Sequence, residues 1–361
     1  MTATDESAPT STPGSPNGTL EGHAGQHAVA VARAHGVETM FTLSGAHVFP
    51  MYDGAVKADP PMRILDVRHE QTAAFAAEAT GKLTRRPGLA VLTAGPGVTN
   101  GTSAIAQAQF AGSPMVVLGG RAPDNRWGQG SLQELDQPPI MAPVAKLSRT
   151  IPTAAEMAGG FDEAFRVAGS SHRGPVFVDV PMDELFNTAT SPRPSTAPDP
   201  VIEPDSDALR AIARLLGEAS RPVLVLGTDV WADGAEDAAL RFVEGLGVPT
   251  ITNGMGRGLI PGGHPLLVTK ARGAAFNGAD LVVVVGTPLD FRLGYGVFGG
   301  KEETTPARVV HVADSPGQVS RHASLAASVS GDLTSFFDGL LAALERGPKP
   351  AWGPWVASLQ D

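Results

Sequence analysis

Cysteine is absent from all 361 residues, so the chain can have no disulfide framework, thiolate metal site or cysteine nucleophile. Positive charge is in deficit. The 27 lysines and arginines stand against 37 acidic residues, a formal charge of −10, which argues against nucleic acid or an anionic membrane as partner. No stretch approaches the roughly 18 consecutive apolar residues of a membrane span, and the first residues lack both the basic start and the apolar core of a secretion signal. A soluble, cytoplasmic protein acting on small molecules is the expectation. Also missing are a repeat of solenoid length, the zinc pattern H-E-x-x-H, the serine elbow G-x-S-x-G, a strict G-x-G-x-x-G and a Walker loop. Metal hydrolysis and triad chemistry thereby lose support, and spacing assigns no metal ligand.

What the chain does contain is 42% hydrophobic residues at a length that suits two domains. MTATDESAPTSTPGSPNGTL opens the sequence and reads, through residue 22, as a disordered tail. Apolar runs at Met40–Leu43, Ile64–Val67, Leu89–Leu92, Met115–Leu118 and Val176–Val180 alternate with helical periods such as 27–36 and 71–83. Uninterrupted apolar strands between helices predict a parallel sheet covered on both faces, over residues 23–186. Residues 187–205 fill with proline and read as an extended linker. A second α/β series, 206–348, follows, with strands at Pro222–Leu226, Pro249–Thr252, Leu281–Gly286 and Val309–Val312. The tryptophans of AWGPWVASLQD, in the closing segment 349–361, read as the start of a linker to a further domain. The fold class predicted is α/β, with two doubly wound parallel-sheet domains.

In LDVRHEQTAAFAAEA the ionisable pair His69 and Glu70 falls between an apolar run and an alanine-rich helical segment. Ligands of open parallel sheets bind beyond the carboxyl ends of the strands, and Glu70 sits just past one. The helix dipole and a capping role suffice to explain a carboxylate there, and spacing alone favours that structural reading. Glycine-bearing turns, LSGAH (43–47), TAGPGVTN (93–100) and LGGRAP (118–123), follow three strands of the same domain, and such turns let backbone amides approach a ligand closely. In GTPLDFRLGYG (286–296), Asp290 and Arg292 read as a ligand-binding pair or as a surface ion pair. Asp314, ending VVHVAD, reads as a ribose-binding acid or a helix cap.

Taken in order and at their spacings, RHEQTAAFAAEA, TAGPGVTNG, SPMVVLGG, SLQELDQ and GPVFVDVP closely resemble the thiamine-diphosphate enzymes of the acetolactate synthase group, from about residue 25 to the C-terminus. The first domain resembles that family's pyrimidine-binding domain and the second its central, Rossmann-like domain. The resemblance implies that Glu70 hydrogen-bonds a ring nitrogen of the aminopyrimidine, favouring the imino tautomer that takes the thiazolium proton. The carbanion so formed attacks a 2-keto acid such as pyruvate, carbon dioxide leaves, and a second carbonyl is joined. Greasy surroundings strengthen such a contact, because solvent no longer competes for it.

Position by position, Gly45, Ala46 and His47 match the loop beside the thiazolium. Gly95, Pro96, Gly97 and Asn100 match the turn against the pyrimidine, and Gln133 matches a glutamine facing the active site, whereas His69 is kept as structural support. Lys270, Arg272, Gly273, Thr287, Asp290, Arg292 and Asp314 fall where flavin-containing members hold FAD, Arg292 also matching an arginine used on the second keto acid, while Arg173 is only an offset candidate for the family's flavin arginine. Met182 stands where the family usually has lysine, Leu132 where it has phenylalanine, and His47 where it has a small apolar residue. These departures lie on the acceptor side and keep a 2-keto acid decarboxylase or an acyl-CoA lyase in view. A homodimer or tetramer is implied, with Glu70 acting across the subunit boundary. The family's third domain carries a Gly-Asp-Gly motif for magnesium and the diphosphate, while Gly331-Asp332 is followed here by Leu333. The chain is therefore expected to be incomplete and inactive alone, with the Mg2+ ligands elsewhere. A non-catalytic binding or regulatory module is the rival of another class, disfavoured because an unused buried carboxylate is costly.

Overall fold

A computed structural model describes residues 18–196, 200–300, 305–344 and 351–360. These fall into two compact units. The first runs to Gln109 and takes in Ser113–Gly169 and the described residues from Pro175 to 196, while the second comprises Phe110–Gly112, Ser170–Gly174 and the described residues from 200 onward.

In the first unit, β1 (Thr19–His23), β2 (Thr39–Thr42), β3 (Arg63–Asp66), β4 (Gly88–Leu92), β5 (Met115–Arg121), β6 (Leu147–Thr150), β7 (Pro175–Pro181) and β8 (Thr188–Pro192) appear in that order. Six of them form one parallel sheet, β3-β2-β4-β5-β7-β6. Every residue of β4 and β7 is buried, as expected for strands covered on both faces. Helices Ala24–Ala34 and Met157–Gly169 build one core layer around Val31, Phe161 and Phe165. Helices Glu70–Thr84 and Thr102–Ala111 build the other from Ala73, Ala77, Ala104 and Ile105. Small side chains here bring helix and sheet close enough for the loops beyond the strands to meet.

The second unit contains β9 (Pro222–Leu226), β10 (Thr250–Thr252), β11 (Leu281–Val285), β12 (Arg308–Ala313) and β13 (Ala327–Ser330). They form a parallel sheet ordered β10-β9-β11-β12-β13. Its helices Ser206–Glu218, Glu236–Leu246 and Leu333–Leu344 pack Leu216, Phe242, Phe336 and Phe337 over it. The α/β class expected from the sequence is thus observed in both units.

Three expectations need correction. Residues 19–22 were expected in a disordered tail and 188–192 in a linker, yet β1 and β8 pair antiparallel with one another. Main-chain hydrogen bonds hold such a ladder without any hydrophobic period; Leu20 and Ser191 are its buried residues. Residues 1–17 of that tail and 197–199 of that linker lie outside the described residues. The closing segment also packs: Trp352, 3% exposed, belongs to the second unit's core and donates its indole N–H to Ala219 O at 2.9 Å. Asp332 caps the helix that follows it, accepting from Ser335 N at 2.7 Å. Among the described residues no helix is long and apolar enough to cross a membrane.

Candidate functional site

Successive connections in the first sheet run outward to β3 and then back to β4, so the strand order reverses between β2 and β4. A crevice at such a reversal, beyond the carboxyl ends of the strands, is where open α/β sheets take ligands. Three loops meet it: the chain after β2 (Gly45 to His47), after β3 (His69 and Glu70) and after β4 (Thr93 to Asn100).

Glu70 is the first residue of helix Glu70–Thr84, but it is not the cap. Extended His69 fills that role, its ring nitrogen accepting from Gln71 N at 3.1 Å. The Glu70 carboxylate is thereby free to point elsewhere, and it is buried at 8% exposure. Asn100 Nδ2 donates to its Oε2 at 2.9 Å, while Oε1 accepts no hydrogen bond from the described residues. A Cβ on Gly97 would stand 3.4 Å from Oε1 and 2.5 Å from Thr93 Cγ2. Glycine therefore leaves the face of the carboxylate uncovered, as a flat heterocycle bonding to Oε1 would require.

His47 closes the neighbouring wall at 3% exposure. Its Nε2 lies 3.2 Å from Leu132 O, and its Nδ1 3.2 Å from Thr93 Oγ1. A carbonyl can only accept, so Nε2 carries the proton and Nδ1 accepts from the threonine hydroxyl. Burial pushes the His47 pKa down, opposed in part by the Leu132 carbonyl, and keeps the ring neutral at pH 7. A depressed folded pKa contributes stability that is fully present above the ordinary 6.5 and is lost as pH falls through the folded value. The thermal-midpoint gap between wild type and His47→Gln should therefore shrink as pH is lowered from ~7 to ~5. A gap independent of pH in circular-dichroism melts would refute a neutral His47.

Beneath the TAGPG turn lies a polar platform that sequence reasoning missed. Gly95 adopts φ 55°, ψ −115°, a region closed to side chains, and its N–H donates to Gln137 Oε1 at 2.8 Å. Gln137 Nε2 donates in turn to Gly120 O and to Asp179 Oδ2, both at 2.9 Å. Fully buried Asp179 also accepts from Thr150 Oγ1 at 2.6 Å and faces Arg121 at 3.5 Å. Burial pushes the Asp179 carboxyl up, while Thr150, Gln137 and Arg121 pull it down. An aspartate inside the apolar run VFVDV was the available signal. The turn expected at LGGRAP is instead strand: Gly119 and Gly120 belong to β5, and a Cβ on Gly120 would stand 2.4 Å from His47 Cβ. That glycine makes room for the histidine. Gln133, at φ 57°, is half-buried with its backbone against Gly95.

In the second unit the residues matched to a flavin site are largely engaged with one another. Arg292 forks onto Asp290, Nη2 to Oδ2 at 2.6 Å and Nε to Oδ2 at 3.0 Å, which is the surface-pair alternative. Arg272 donates to Arg292 O and lies over the Phe276 ring. Arg173 is bound to Asp233 at 2.5 Å. Thr287 is buried beside Asn253, Gly273 is exposed, and exposed Lys270 has no ion pair among the described residues. A flavin diphosphate needs cationic donors to spare, and three of these four are committed. The set does not fit FAD. Asp314 caps no helix; its Oδ2 lies 3.0 Å from His172 Nδ1. Spacing assigned no metal ligands, yet His172, Asp229 and Asp314 come together here.

A buried carboxylate opposite an asparagine and a bare glycine, at the reversal of a parallel sheet, belongs with cofactor-binding α/β proteins. The chain belongs to the thiamine pyrophosphate enzymes: residues 23–140 match their N-terminal TPP binding domain and residues 209–340 their central domain. Among individual relatives, acetolactate synthase large subunit IlvG of Mycobacterium tuberculosis is 46% identical over 323 residues, 88% of this chain. The 2-hydroxyacyl-CoA lyase 2 of Homo sapiens is 32% identical over 94% of the chain, and that of Mus musculus 36% over 76%. The chain spans 58% of the length of the first of these, 59% of the second and 49% of the third.

Proposed function

We propose that the chain supplies the cofactor-activating side of a thiamine-diphosphate enzyme that decarboxylates a 2-keto acid such as pyruvate and joins the remaining two-carbon unit to a second keto acid. The observation that carries this reading is the Glu70 side chain, buried at 8% exposure, held at Oε2 by Asn100 while Oε1 accepts no hydrogen bond from the described residues and is left uncovered by Gly97. Thiamine diphosphate supplies the nucleophilic carbon and the electron sink. Glu70 Oε1 holds the proton at the pyrimidine nitrogen, and Asn100 keeps the carboxylate turned toward it. Gly95 and Gly97 let the ring approach, Gln133 faces the substrate, and His47 with Leu132 borders the acceptor. The apolar walls exclude water, which would compete for every one of these contacts.

Acetolactate formation is supported by the 46% identity to an acetolactate synthase. Cleavage of a 2-hydroxyacyl-CoA is the second reading, supported by the relatives of that name and by Met182 in place of lysine. A homodimer or tetramer in which Glu70 serves a cofactor shared with a partner subunit agrees with exposed Phe49 and Leu132, 48% and 72% accessible in the first unit. Magnesium accompanies the diphosphate in this proposal, with no ligands to it assigned among the described residues beside Glu70.

The complete enzyme, diphosphate- and magnesium-binding part included, given pyruvate, thiamine diphosphate and Mg2+ is expected to yield acetolactate. Acetaldehyde without acetolactate would reject carboligation, and turnover confined to a 2-hydroxyacyl-CoA would establish the second reading. Failure with both substrates would leave a binding module.

A further inference from the structure

The second unit holds a group of titratable side chains that the proposed reaction does not use. Its strand order reverses between β9 and β11. The chain beyond β9 supplies Asp229, the chain beyond β12 supplies Asp314, and the segment Ser170–Gly174 supplies His172. His172 Nδ1 lies 3.0 Å from Asp314 Oδ2 and 3.6 Å from Asp229 Oδ1. One ligand atom from each of the three lies within 4.8 Å of the others.

We propose that His172, Asp229 and Asp314 form a binding site for one divalent first-row cation, of which Zn2+ is the fitting representative. One imidazole nitrogen and two carboxylate oxygens suit such an ion better than Mg2+ or Ca2+, which take oxygen sets.

Two independent observations point to a ligand. Asp314 is 2% exposed, and its Oδ1 is buried without a hydrogen-bond partner among the described residues; native proteins rarely leave such an oxygen unsatisfied. The local charge is also unbalanced. Asp229, Asp233 and Asp314 bring three neighbouring carboxylates against the single guanidinium of Arg173, which is already bonded to Asp233, an excess of negative charge. A dication cancels it.

The ligands are also held in place from behind. A Cβ on Gly112 would stand 2.8 Å from His172 Cε1 and Nε2, so the absence of a side chain there seats the ring. Asp229 N donates to Gly286 O at 2.9 Å, which fixes the start of the short helix Thr228–Ala232 on the turn after β11.

The test is Zn2+ uptake by chelator-stripped full-length protein, dialysed in excess Mg2+ and followed by metal analysis and thermal melts; it requires no turnover and is independent of the proposed activity. Wild type should take up one Zn2+ per chain and melt higher with it. Asp229→Asn should weaken uptake at least about 100-fold, yet melt without metal at or above the wild-type midpoint, because a buried repulsion is gone. That opposite response shows that lost binding is not lost folding. His172→Gln should weaken uptake similarly. Folded wild type without stoichiometric uptake, or equal uptake by wild type and both variants, would overturn the site.

Discussion

Glu70→Gln is expected to lower turnover of the full-length protein by about 10²- to 10⁴-fold while moving the thermal midpoint by no more than ~2 °C. Both halves follow from the local geometry. Gln keeps the shape and can still meet Asn100 through its carbonyl oxygen, and the helix start is secured by His69 rather than by residue 70. What the substitution removes is the negative charge at Oε1. In a site this dry, that charge is worth far more to a proton on a ring nitrogen than it would be in water. Exchange of the thiazolium proton of bound cofactor should slow in parallel, and cofactor should still bind. Exchange at the wild-type rate in a folded variant would remove Glu70 from the chemistry.

Asp179→Ala should cost about 3–5 kcal/mol of stability, read as a fall in the urea midpoint with an unchanged slope. Asp179 is fully buried and takes hydrogen bonds from Thr150 and Gln137 beside the Arg121 guanidinium. Alanine would leave the Thr150 hydroxyl and one Gln137 amide hydrogen without their acceptor in a medium that cannot solvate them, while Arg121 would keep Asp136 and Gln137 would keep Gly120 O. The damage should also reach function, because Gln137 is what holds Gly95 N–H. Weaker cofactor binding is therefore expected in whatever fraction stays folded. A loss below ~1 kcal/mol would show that the platform is incidental.

How much of this was legible in the sequence depends on which physical signal each part emits. Strands buried on both faces announce themselves as apolar runs, and β4, β9 and β11 fall where expected to within a residue. Two of the four edge strands of the parallel sheets do not: β6, LSRT, is half-buried throughout, and β13, ASVS, has a single buried residue. β1 and β8 carry almost no apolar side chains, so their pairing had no pattern to show. Glu70 stood out because a carboxylate among alanines is anomalous, and the structure gives the cap to its neighbour. Gln137, Asp179, His172 and Asp229 escaped notice, and Asp314 drew notice only as a ribose-binding acid or a cap, for the opposite reason. Their partners lie 42 residues away for Gln137 and Asp179, and 142 for His172 and Asp314, and no local spacing encodes a contact made by folding. Arg292 and Asp290 show the reverse hazard, since two residues suited to a ligand spend their charge on each other.

The ladder between β1 and β8 brings the polypeptide into and out of the first unit side by side, Thr19 opposite Pro192 and His23 opposite Thr188. Both ends are thus anchored at one seam. A pull from whatever precedes Thr19 or follows Pro192 acts first on the same short zipper, outside the six strands that carry the buried Glu70. Fusion partners attached at either side of that seam should accordingly leave the geometry around residue 70 undisturbed.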